Sequence, residues 1–477
     1  MIQSLSIYTI YRKRRKHQAP ATSTAPPKQM TLQVVGGGKV RCRILHRPSW
    51  PFLAYSGCLN VVQSDFSSFF FFIRRMSILH QIAQRETWEA FYECKSNDGY
   101  LSPSELRELK HFITKERYRP MVEELLNGGT FSVPVRREIS KIGKQKKRVV
   151  YVFKRDENII LKLLTHLLVR KYDTLFSPNL YSFRVNSGVK RAIRKITTHP
   201  NIDSYYSYKI DITNYFNSIN VDHMLRILGM VLACDKELYA FVESLLRNPV
   251  AKSGKIYVEE PKGVMAGTPL AVFLSNLYLT ELDKCFDGRD DIIYCRYSDD
   301  IILFAKQQDT LEEAKETIFR YINEYNLEVN REKEVTTLPG EEWTFLGLSY
   351  HKGIIDISPI SKQKLKGKMR RKARALIRWK NRKGKEDNMA VRAFIKRFNK
   401  KLYDGNDPNE TNWSRWYFPL INTDKSLKEL DAYMQDCLRY TASETHTKAR
   451  YNYRYEQMKA LGYRSLVNEW YKWRSVE

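Results

Sequence analysis

The stretch Tyr294-Cys-Arg-Tyr-Ser-Asp-Asp-Ile-Ile-Leu-Phe304 decides the fold of this chain. Two adjacent carboxylates, Asp299 and Asp300, separate two runs rich in β-forming residues, 292–297 and 301–304. This pattern predicts a β-hairpin that carries both acids at its tight turn. Adjacent carboxylates repel each other, so a pair held at a rigid tip is explained by a divalent cation that neutralises it. A solvated Asp-Asp turn is the alternative that this stretch leaves open.

A second acidic strand lies closer to the N-terminus, in the segment Tyr208-Lys-Ile-Asp-Ile-Thr-Asn-Tyr-Phe-Asn-Ser-Ile219. Here a short apolar strand ends in Asp211 and is followed by a turn and by aromatic residues. Acids carried on two such strands can converge on one pair of metal ions. Two ions that are roughly 3.5–4 Å apart activate the attacking oxygen and stabilise the leaving oxygen in nucleotidyl transfer. The two segments together therefore favour a metal-dependent site over a solvated turn.

The two segments resemble motifs A and C of the reverse transcriptase palm, with Asp211 in motif A and Tyr297-Ser-Asp-Asp300 as motif C. The resemblance implies an α+β right-hand polymerase fold of fingers, palm and helical C-terminal thumb. It also implies an RNA-directed DNA polymerase, a nucleotidyltransferase that uses two Mg²⁺ ions or, in their place, Mn²⁺. The metal ligands that it implies are Asp211, Asp299, Asp300 and the backbone carbonyl of Ile212.

The charge of the chain predicts a polyanionic partner. Lys and Arg number 81 and Asp and Glu number 53, so the formal net charge is +28. Contacts from Lys and Arg to phosphates dominate nucleic-acid affinity, and the 30 Tyr and 22 Phe interleaved with the charges suit base stacking. The seven Cys include no Cys-x-x-Cys pair, which argues against a zinc site or a disulfide framework and fits a reducing, intracellular setting.

Residues 1–75 differ from the rest of the chain in composition. They contain twelve Lys or Arg but one acid, Asp65, together with Pro-, Thr- and Gly-rich pieces. The apolar run 66–73 is too short to span a bilayer, so no membrane contact is expected. Acid-poor N-termini that carry Arg can be organelle transit peptides. Alternatively, translation starts at Met76, and residues 1–75 are a disordered or non-native extension of a cytoplasmic bacterial protein.

Basic residues mark the predicted fingers. Cations lead the predicted strand in Lys144-Gln-Lys-Lys-Arg-Val-Val-Tyr-Val-Phe153, and Tyr181-Ser-Phe-Arg184 resembles the fingers motif usually written as aromatic-Gly-Phe-Arg. The resemblance implies that Arg148 and Arg184 hold the incoming triphosphate, because guanidinium groups match phosphate oxygens bidentately. A general contact to the RNA backbone is the alternative for Arg148. Ser182 replaces the usual glycine, and we expect it to alter that turn.

Two features of the sequence concern the expected binding site of the incoming nucleotide. Phe216 stands where reverse transcriptases place a bulky aromatic residue that excludes a 2′-hydroxyl, which implies deoxynucleotide use unless Phe216 is a core residue. Residues 262–279 resemble motif B, in which Gly267 is expected to allow close backbone approach to the nascent base pair. Ala266 replaces the glutamine that usually supports the template–nucleotide pocket. This departure puts ordinary template copying or fidelity in doubt, but not the metal chemistry.

Two later segments complete the polymerase pattern. Residues 327–333 resemble motif D, whose lysine is proposed to protonate the leaving pyrophosphate. Lys333 is the candidate for this role, and a surface ion pair is the alternative. Residues 343–347 resemble the primer-grip hairpin, in which the implied contact residues are Phe345, Leu346 and Gly347. The resemblance extends over residues 135–350.

The C-terminal part is expected to be a thumb. Residues 361–400 contain 17 Lys or Arg and two acids, with apolar residues recurring among them. A solvated basic helix is one interpretation, but a helical thumb that tracks a nucleic-acid backbone fits the apolar pattern better. The segment after Trp413 resembles the maturase-type tail of group II intron reverse transcriptases. The expected regions are a basic extension (1–75), N-terminal helices and fingers (76–207), palm (208–350) and maturase-like thumb (351–477).

The absence of certain sequence motifs narrows the families of reverse transcriptase that this chain resembles. The sequence has no Asn-Ala-x-x-His or Val-Thr-Gly segment, which disfavours retrons, and no recognisable nuclease region. It resembles the bacterial defence-associated reverse transcriptases, among which class 2 fits best. This implies that deoxynucleoside triphosphates are used to copy a dedicated noncoding RNA into cDNA during phage infection. The alternatives are a group II intron-type maturase or splicing factor, a mobile-element reverse transcriptase, and an RNA-dependent RNA polymerase, which Phe216 opposes. The oligomeric state stays open.

Overall fold

The computed structural model describes residues 29–35, 39–45, 76–98, 101–140, 147–258, 262–403 and 413–475. The chain divides into two units, Met1–Arg74 and Arg75–Glu477. In the first unit, strands β1 (Gln29–Val35) and β2 (Lys39–Leu45) form an antiparallel pair. The rest of the predicted N-terminal extension lies outside the described residues.

The second unit combines many helices with three small sheets. Its helices are α1 (Ile78–Ala83), α2 (Arg85–Asp98), α3 (Pro103–Thr114), α4 (Arg119–Leu126), α5 (Arg155–Lys171), α6 (Val189–Thr197), α7 (Tyr215–Ser218), α8 (Val221–Val231), α9 (Lys236–Arg247), α10 (Ala271–Tyr278), α11 (Thr280–Lys284), α12 (Gln308–Glu324), α13 (Pro359–Lys383), α14 (Asp387–Leu402), α15 (Trp413–Tyr417), α16 (Lys425–Ser443), α17 (Tyr455–Ala460) and α18 (Leu466–Arg474). Its strands are β3 (Val135–Ser140), β4 (Lys147–Val152), β5 (Tyr206–Asp211), β6 (Val250–Lys252), β7 (Lys255–Tyr257), β8 (Ile292–Tyr297), β9 (Asp300–Ala305), β10 (Val335–Thr337), β11 (Trp343–Phe345), β12 (Leu348–His351) and β13 (Ile354–Ile357). The expected α+β class is confirmed.

The N-terminal helices are capped and anchored by side chains. Ser102 and Glu105 form a capping box at the start of α3, as their spacing in the sequence predicts. The carboxylate of Asp235 accepts hydrogen bonds from the Ser77 hydroxyl at 2.7 Å and from the Ile78 N–H at 3.0 Å. Asp235 also caps α9, so one carboxylate joins the first helix of this unit to the helices beside the palm.

The palm sheet has the strand order β10-β5-β9-β8, and all its neighbouring strands are antiparallel. Strands β8 and β9 form the predicted hairpin, in which Ser298 and Asp299 make the turn. The sequence placed both acids in that turn. In the structure, Asp300 is instead the first residue of β9, because it already pairs with Tyr297 across the hairpin.

Two hydrophobic cores cover the two faces of the palm sheet. Ile301 and Leu303 of β9 belong to the first core, which also contains residues of α5 and α10. Ile302 and Phe304 belong to the second core, which extends into the thumb. Side chains alternate between the faces of a strand, so Asp300 lies on the same face as Ile302 and Phe304. The acid is therefore on the thumb side of the palm.

The fingers and the thumb flank this palm. The fingers sheet has the order β4-β3-β6-β7, and the sheet β11-β12-β13 leads into the thumb. In the thumb, α13 packs against α14 and α16. Helix α13 buries an apolar stripe at helical spacing, as expected from the sequence: Leu365, Met369, Ala373 and Leu376. Among the described residues, no helix has both the length and the apolar character needed to cross a membrane.

Candidate active site

Pairing of β5 with β9 brings the predicted acids together. Asp211 lies opposite Asp300 in the strand register. The N–H of Ile212 donates to the carbonyl of Asp299 at 3.1 Å, which ties the end of β5 to the turn of the hairpin. Asp211, Asp299 and Asp300 thus occupy neighbouring backbone positions, although their segments are far apart in the sequence. Their role as metal ligands, and that of the Ile212 carbonyl, stays a prediction.

The ionisation of Asp299 and Asp300 is disfavoured by burial and by the neighbouring negative charges. Burial, followed by the charges of Asp299 and Asp211, raises the pKa of Asp300 to about 7. Burial and the charge of Asp211 also raise the pKa of Asp299 above its ordinary value. Neighbouring acids with pKa values shifted by burial and by like charge are typical of functional sites. A bound cation would remove this repulsion.

Two lysines supply positive charge at the acids. The Nζ of Lys333 lies 2.6 Å from Oδ1 of Asp211, and about half of its side chain is exposed (49%). Lys209 donates from Nζ to Thr344 Oγ1 at 3.0 Å. Burial lowers the pKa of Lys209, whereas the charge of Asp300 raises it. Lys209 is a site residue that was not predicted from the sequence, although strand alternation places it on the same face as Asp211.

The donor set suits a hard divalent cation, because carboxylate oxygens are the ligands that Mg²⁺ uses in proteins. Within the described residues, however, no group of three or more Asp, Glu, His or Cys side chains is gathered closely enough to hold a metal ion. The backbone register brings the acids together, while the side chain of Asp211 is engaged by Lys333. Lys333 would therefore compete with a metal ion for Oδ1 of Asp211.

The two candidate triphosphate-binding arginines differ in their surroundings. Arg184 donates from Nε to Asp173 Oδ1 at 2.8 Å, its guanidinium lies 5.6 Å from the ring centroid of Phe176, and its side chain is 12% exposed. Arg148 is exposed on β4. Burial raises the pKa of Asp299, and the charge of Arg148 opposes this rise only weakly. Triphosphate binding stays a prediction for both residues. Arg184 would have to leave Asp173 to take part, whereas Arg148 is exposed without having to leave such a partner among the described residues.

Phe216 lies at the edge of the first core and is only partly buried. Its carbonyl accepts a hydrogen bond from the N–H of Val264 at 2.9 Å, so the backbone of motif A is fixed to the loop of motif B. A Cβ at Gly263 would lie 2.2 Å from the same carbonyl, so only glycine fits there. Discrimination against ribonucleotides by Phe216 stays a prediction.

Asn217 joins the loop of motif B to the fingers. Its Oδ1 accepts from the N–H of Ala266 at 2.9 Å, and its Nδ2 donates to the carbonyl of Val149 at 3.3 Å. Gly267 has a φ of 98°, and a Cβ there would lie 3.0 Å from Cβ of Val150. The close approach at Gly267 is therefore to strand β4, and its contact with a nascent base pair stays a prediction. Asn217, which follows Phe216 directly, was not predicted from the sequence as a site residue.

The predicted primer-grip residues form the tip of the hairpin between β11 and β12. Phe345 is buried in the second core, and Leu346 and Gly347 both have positive φ. The carbonyl of Gly347 accepts from the N–H of Ser358, the N-cap of α13, at 3.0 Å. A Cβ at Gly347 would lie 3.0 Å from the hydroxyl of Tyr417. The tip is thereby fixed to the thumb, and its contact with a primer stays a prediction.

Residues 139–350 match the family described as reverse transcriptase (RNA-dependent DNA polymerase). This chain contains a reverse transcriptase domain. The domain coincides closely with the span expected from the motifs and includes every candidate site residue from Arg148 to Gly347. The expected right-hand polymerase fold is thereby confirmed.

The relatives of this reverse transcriptase domain are distant. The retron Mx65 reverse transcriptase of Myxococcus xanthus is 26% identical over 233 residues, which are 47% of this chain and 50% of that protein. This chain thus spans about half the length of that relative. The expectation that disfavoured retrons stays a prediction, because this similarity shows no class within the reverse transcriptases.

Two solved structures of telomerase are weakly similar to this chain. The apo telomerase of Candida tropicalis has a TM-score of 0.40 and 14% identity, covering 70% of this chain and 69% of that chain. The telomerase of Candida albicans, in complex with the TWJ fragment of telomeric RNA, has a TM-score of 0.40 and 12% identity, covering 73% and 66%. Both similarities are weak.

Proposed function

We propose that this protein is an RNA-directed DNA polymerase that extends a hydroxyl group with deoxynucleotides. The observation that carries the proposal is the register of β5 and β9, which sets Asp211 opposite Asp300 and beside Asp299 within a reverse transcriptase domain. These three acids and the carbonyl of Ile212 would hold two Mg²⁺ ions, or Mn²⁺ in their place. Such ions, when bound, activate the attacking hydroxyl and stabilise the leaving pyrophosphate.

Residues of this chain supply the other functions of the site. We assign triphosphate contact to Arg148, because its side chain is exposed on β4 and its charge weakly opposes the rise in the pKa of Asp299. Phe216 borders the pocket at the partly buried end of motif A and selects deoxynucleotides. Lys333, once released from Asp211, keeps an ammonium group beside the acids, and we assign to it the proton that the leaving pyrophosphate takes up.

The thumb provides a surface for the backbone of the RNA template and the cDNA product. Opposite its buried stripe, α13 exposes a row of cations: Lys364, Lys368, Arg371, Arg378 and Arg382. None of these pairs with an acidic side chain in the part of the chain that the structure describes. Lys368 and Arg397 even lower the pKa of Lys401 by repulsion, after the larger effect of burial. Cations that repel one another in this way are stabilised by phosphates.

The finer assignment rests on the sequence resemblance. We propose that the template is a dedicated noncoding RNA and that its cDNA serves in antiphage defence in the bacterial cytoplasm. The similarity to a bacterial retron reverse transcriptase supports a bacterial polymerase. The dedicated template and the defence role rest on the resemblance to defence-associated reverse transcriptases alone.

The test is to purify the protein with its bound RNA and to supply labelled nucleotides with Mg²⁺. The inactive variant is Asp299→Ala with Asp300→Ala, and the matched control is Asp290→Ala, which removes an exposed acid near the same hairpin. We expect the wild type and Asp290→Ala to incorporate deoxynucleotides in preference to ribonucleotides. We also expect sequencing to find one small RNA and its complementary DNA.

Two other results would contradict this proposal. Preferential incorporation of ribonucleotides would indicate an RNA polymerase. Bound RNA without any incorporation by the wild type would leave a maturase-like RNA-binding protein, in which three neighbouring carboxylates would bring repulsion without benefit.

A further inference from the structure

The turn that carries the acids contains a residue in an unfavourable conformation. Ser298 has a φ of 61°, in the left-handed region that residues other than Gly, Asn and Asp rarely adopt. Such a conformation persists where the surrounding structure holds it. Because Ser298 directly precedes Asp299, a relaxation of its backbone would change the direction of both acids. Contacts from outside the hairpin are therefore expected at Ser298.

The backbone N–H of Ser298 is held by Ser182. It donates to Ser182 Oγ at 2.9 Å, and the Ser182 hydroxyl donates in turn to Asn276 Oδ1 at 2.9 Å. The amide group of Asn276 donates back to the carbonyl of Ser182 at 2.8 Å. Ser182 and Asn276 are 0% and 1% exposed, so water cannot replace the hydroxyl. Its removal would leave a buried donor and a buried acceptor unpaired.

The carbonyl of Ser298 is held by Arg296. Nη1 of Arg296 donates to this carbonyl at 3.2 Å, and Nε donates to Asp283 Oδ1 at 2.6 Å. The side chains of Arg296 and Asp283 are both fully buried, and Tyr294 donates its hydroxyl to the same carboxylate at 2.9 Å. Arg296 cannot turn away from Ser298 without breaking a buried ion pair, which is strongly destabilising.

We infer that Ser182 and Arg296 are positioning residues that hold Ser298 from its two sides and thereby direct Asp299 and Asp300. The inference rests on the proposed polymerase function. Ser182 stands where the related fingers motif usually has glycine, which lacks a hydroxyl group to accept from the N–H of Ser298. The hydroxyl contact is therefore a feature of this chain. The Ser182 hydroxyl links three segments that are distant in the sequence: the fingers motif, helix α10 and the hairpin of β8 and β9.

The test compares two variants at Ser182 with a matched control. Ser182→Ala and Ser182→Gly both remove the hydroxyl, the second without adding a methyl group to the turn. Ser275→Ala is the control, because Ser275 is also 0% exposed but its hydroxyl donates to the Val272 carbonyl near the start of the same helix, α10. Hydrogen–deuterium exchange of the metal-free proteins reports directly on the N–H of Ser298, independently of activity.

We expect the Ser298 amide to exchange at least about tenfold faster in both Ser182 variants and at the wild-type rate in Ser275→Ala. In the polymerase assay, kcat should fall about tenfold to a hundredfold in the Ser182 variants, because small displacements of catalytic groups are costly. The deoxynucleotide KM should change by less than about twofold, since the substrate contacts remain in place. The Mg²⁺ concentration that gives half-maximal activity should rise in the Ser182 variants alone.

Wild-type exchange of the Ser298 amide in both Ser182 variants would overturn the inference, and so would a kcat equal to that of Ser275→Ala. Failure of the proposed polymerase function gives a different result from failure of this inference. In the first case the wild type would incorporate no nucleotide, while hydrogen–deuterium exchange would still show whether Ser182 holds the Ser298 amide.

Discussion

Replacing Asp300 with Asn is expected to stabilise the metal-free protein while abolishing its proposed activity. Burial and the neighbouring acids raise the pKa of Asp300 from 3.8 to about 7. A carboxyl group whose pKa rises on folding destabilises the folded state when it is ionised. The penalty is absent at a pH below 3.8, grows as the pH rises towards 7, and is complete above pH 7. The amide side chain of the Asp300→Asn variant carries no charge, so the variant escapes this penalty.

The size of the effect follows from the shift in pKa. A shift of about three pH units corresponds to an upper limit of about 4 kcal/mol. Asp300 is only partly buried, and solvent screens part of this repulsion, so we expect about 2 kcal/mol. For a chain of this size, that gain should raise the melting temperature by about 2 °C.

Thermal and urea unfolding in the presence of EDTA would measure this difference at pH 8 and at pH 4. The control is Asp290→Asn, which makes the same chemical change at an exposed position and should alter stability little. We expect the Asp300→Asn variant to be more stable than the wild type at pH 8 and nearly equal to it in stability at pH 4. Added Mg²⁺ should stabilise the wild type more than the variant, because a ligand stabilises the state that binds it. Equal stability of both proteins at pH 8 would refute the electrostatic reasoning.

Four further substitutions test other parts of the site. Arg296→Lys keeps the positive charge but loses the planar guanidinium group. We expect the free energy of unfolding, measured in urea, to fall by about 3 kcal/mol. An unchanged urea midpoint would contradict this expectation. Asn217→Ala should leave the protein folded but raise the deoxynucleotide KM about tenfold, because the motif B loop loses its side-chain link to the fingers; an unchanged KM in steady-state assays would argue against that role. Arg148→Ala should raise the same KM about tenfold with little loss of stability, whereas Arg184→Ala should lower stability by about 2 kcal/mol through loss of Asp173. A higher KM for Arg184→Ala, together with an unchanged KM for Arg148→Ala, would instead identify Arg184 as the triphosphate ligand.

Local features of the fold were predictable because their causes lie close together in the sequence. Alternating β-forming residues around Asp299 predicted the hairpin, and the Ser102–Glu105 spacing predicted a capping box that the structure contains. Apolar residues at helical spacing predicted the buried stripe of α13. A short apolar strand ending in Asp211 was predicted in the same way, and β5 ends at this residue.

The partners of the polar side chains were not predictable in this way. Arg184 matches a triphosphate-binding motif, yet in the folded chain it is bound to Asp173. Strand alternation places Lys209 on the face of Asp211, and Ser182 departs from the fingers motif. Neither pattern reveals which groups these side chains contact, and Asn217 carries no such pattern.

The amino-acid sequence by itself predicted the β8–β9 hairpin, the acidic strand β5 and the reverse transcriptase domain, since these depend on residue spacing and composition. Only the tertiary structure decided which charge faces which acid, and which hydroxyl group holds the strained turn at Ser298. The physical reason is that hydrogen bonds and ion pairs form between groups a few ångströms apart, and here those groups come from segments that meet only after folding.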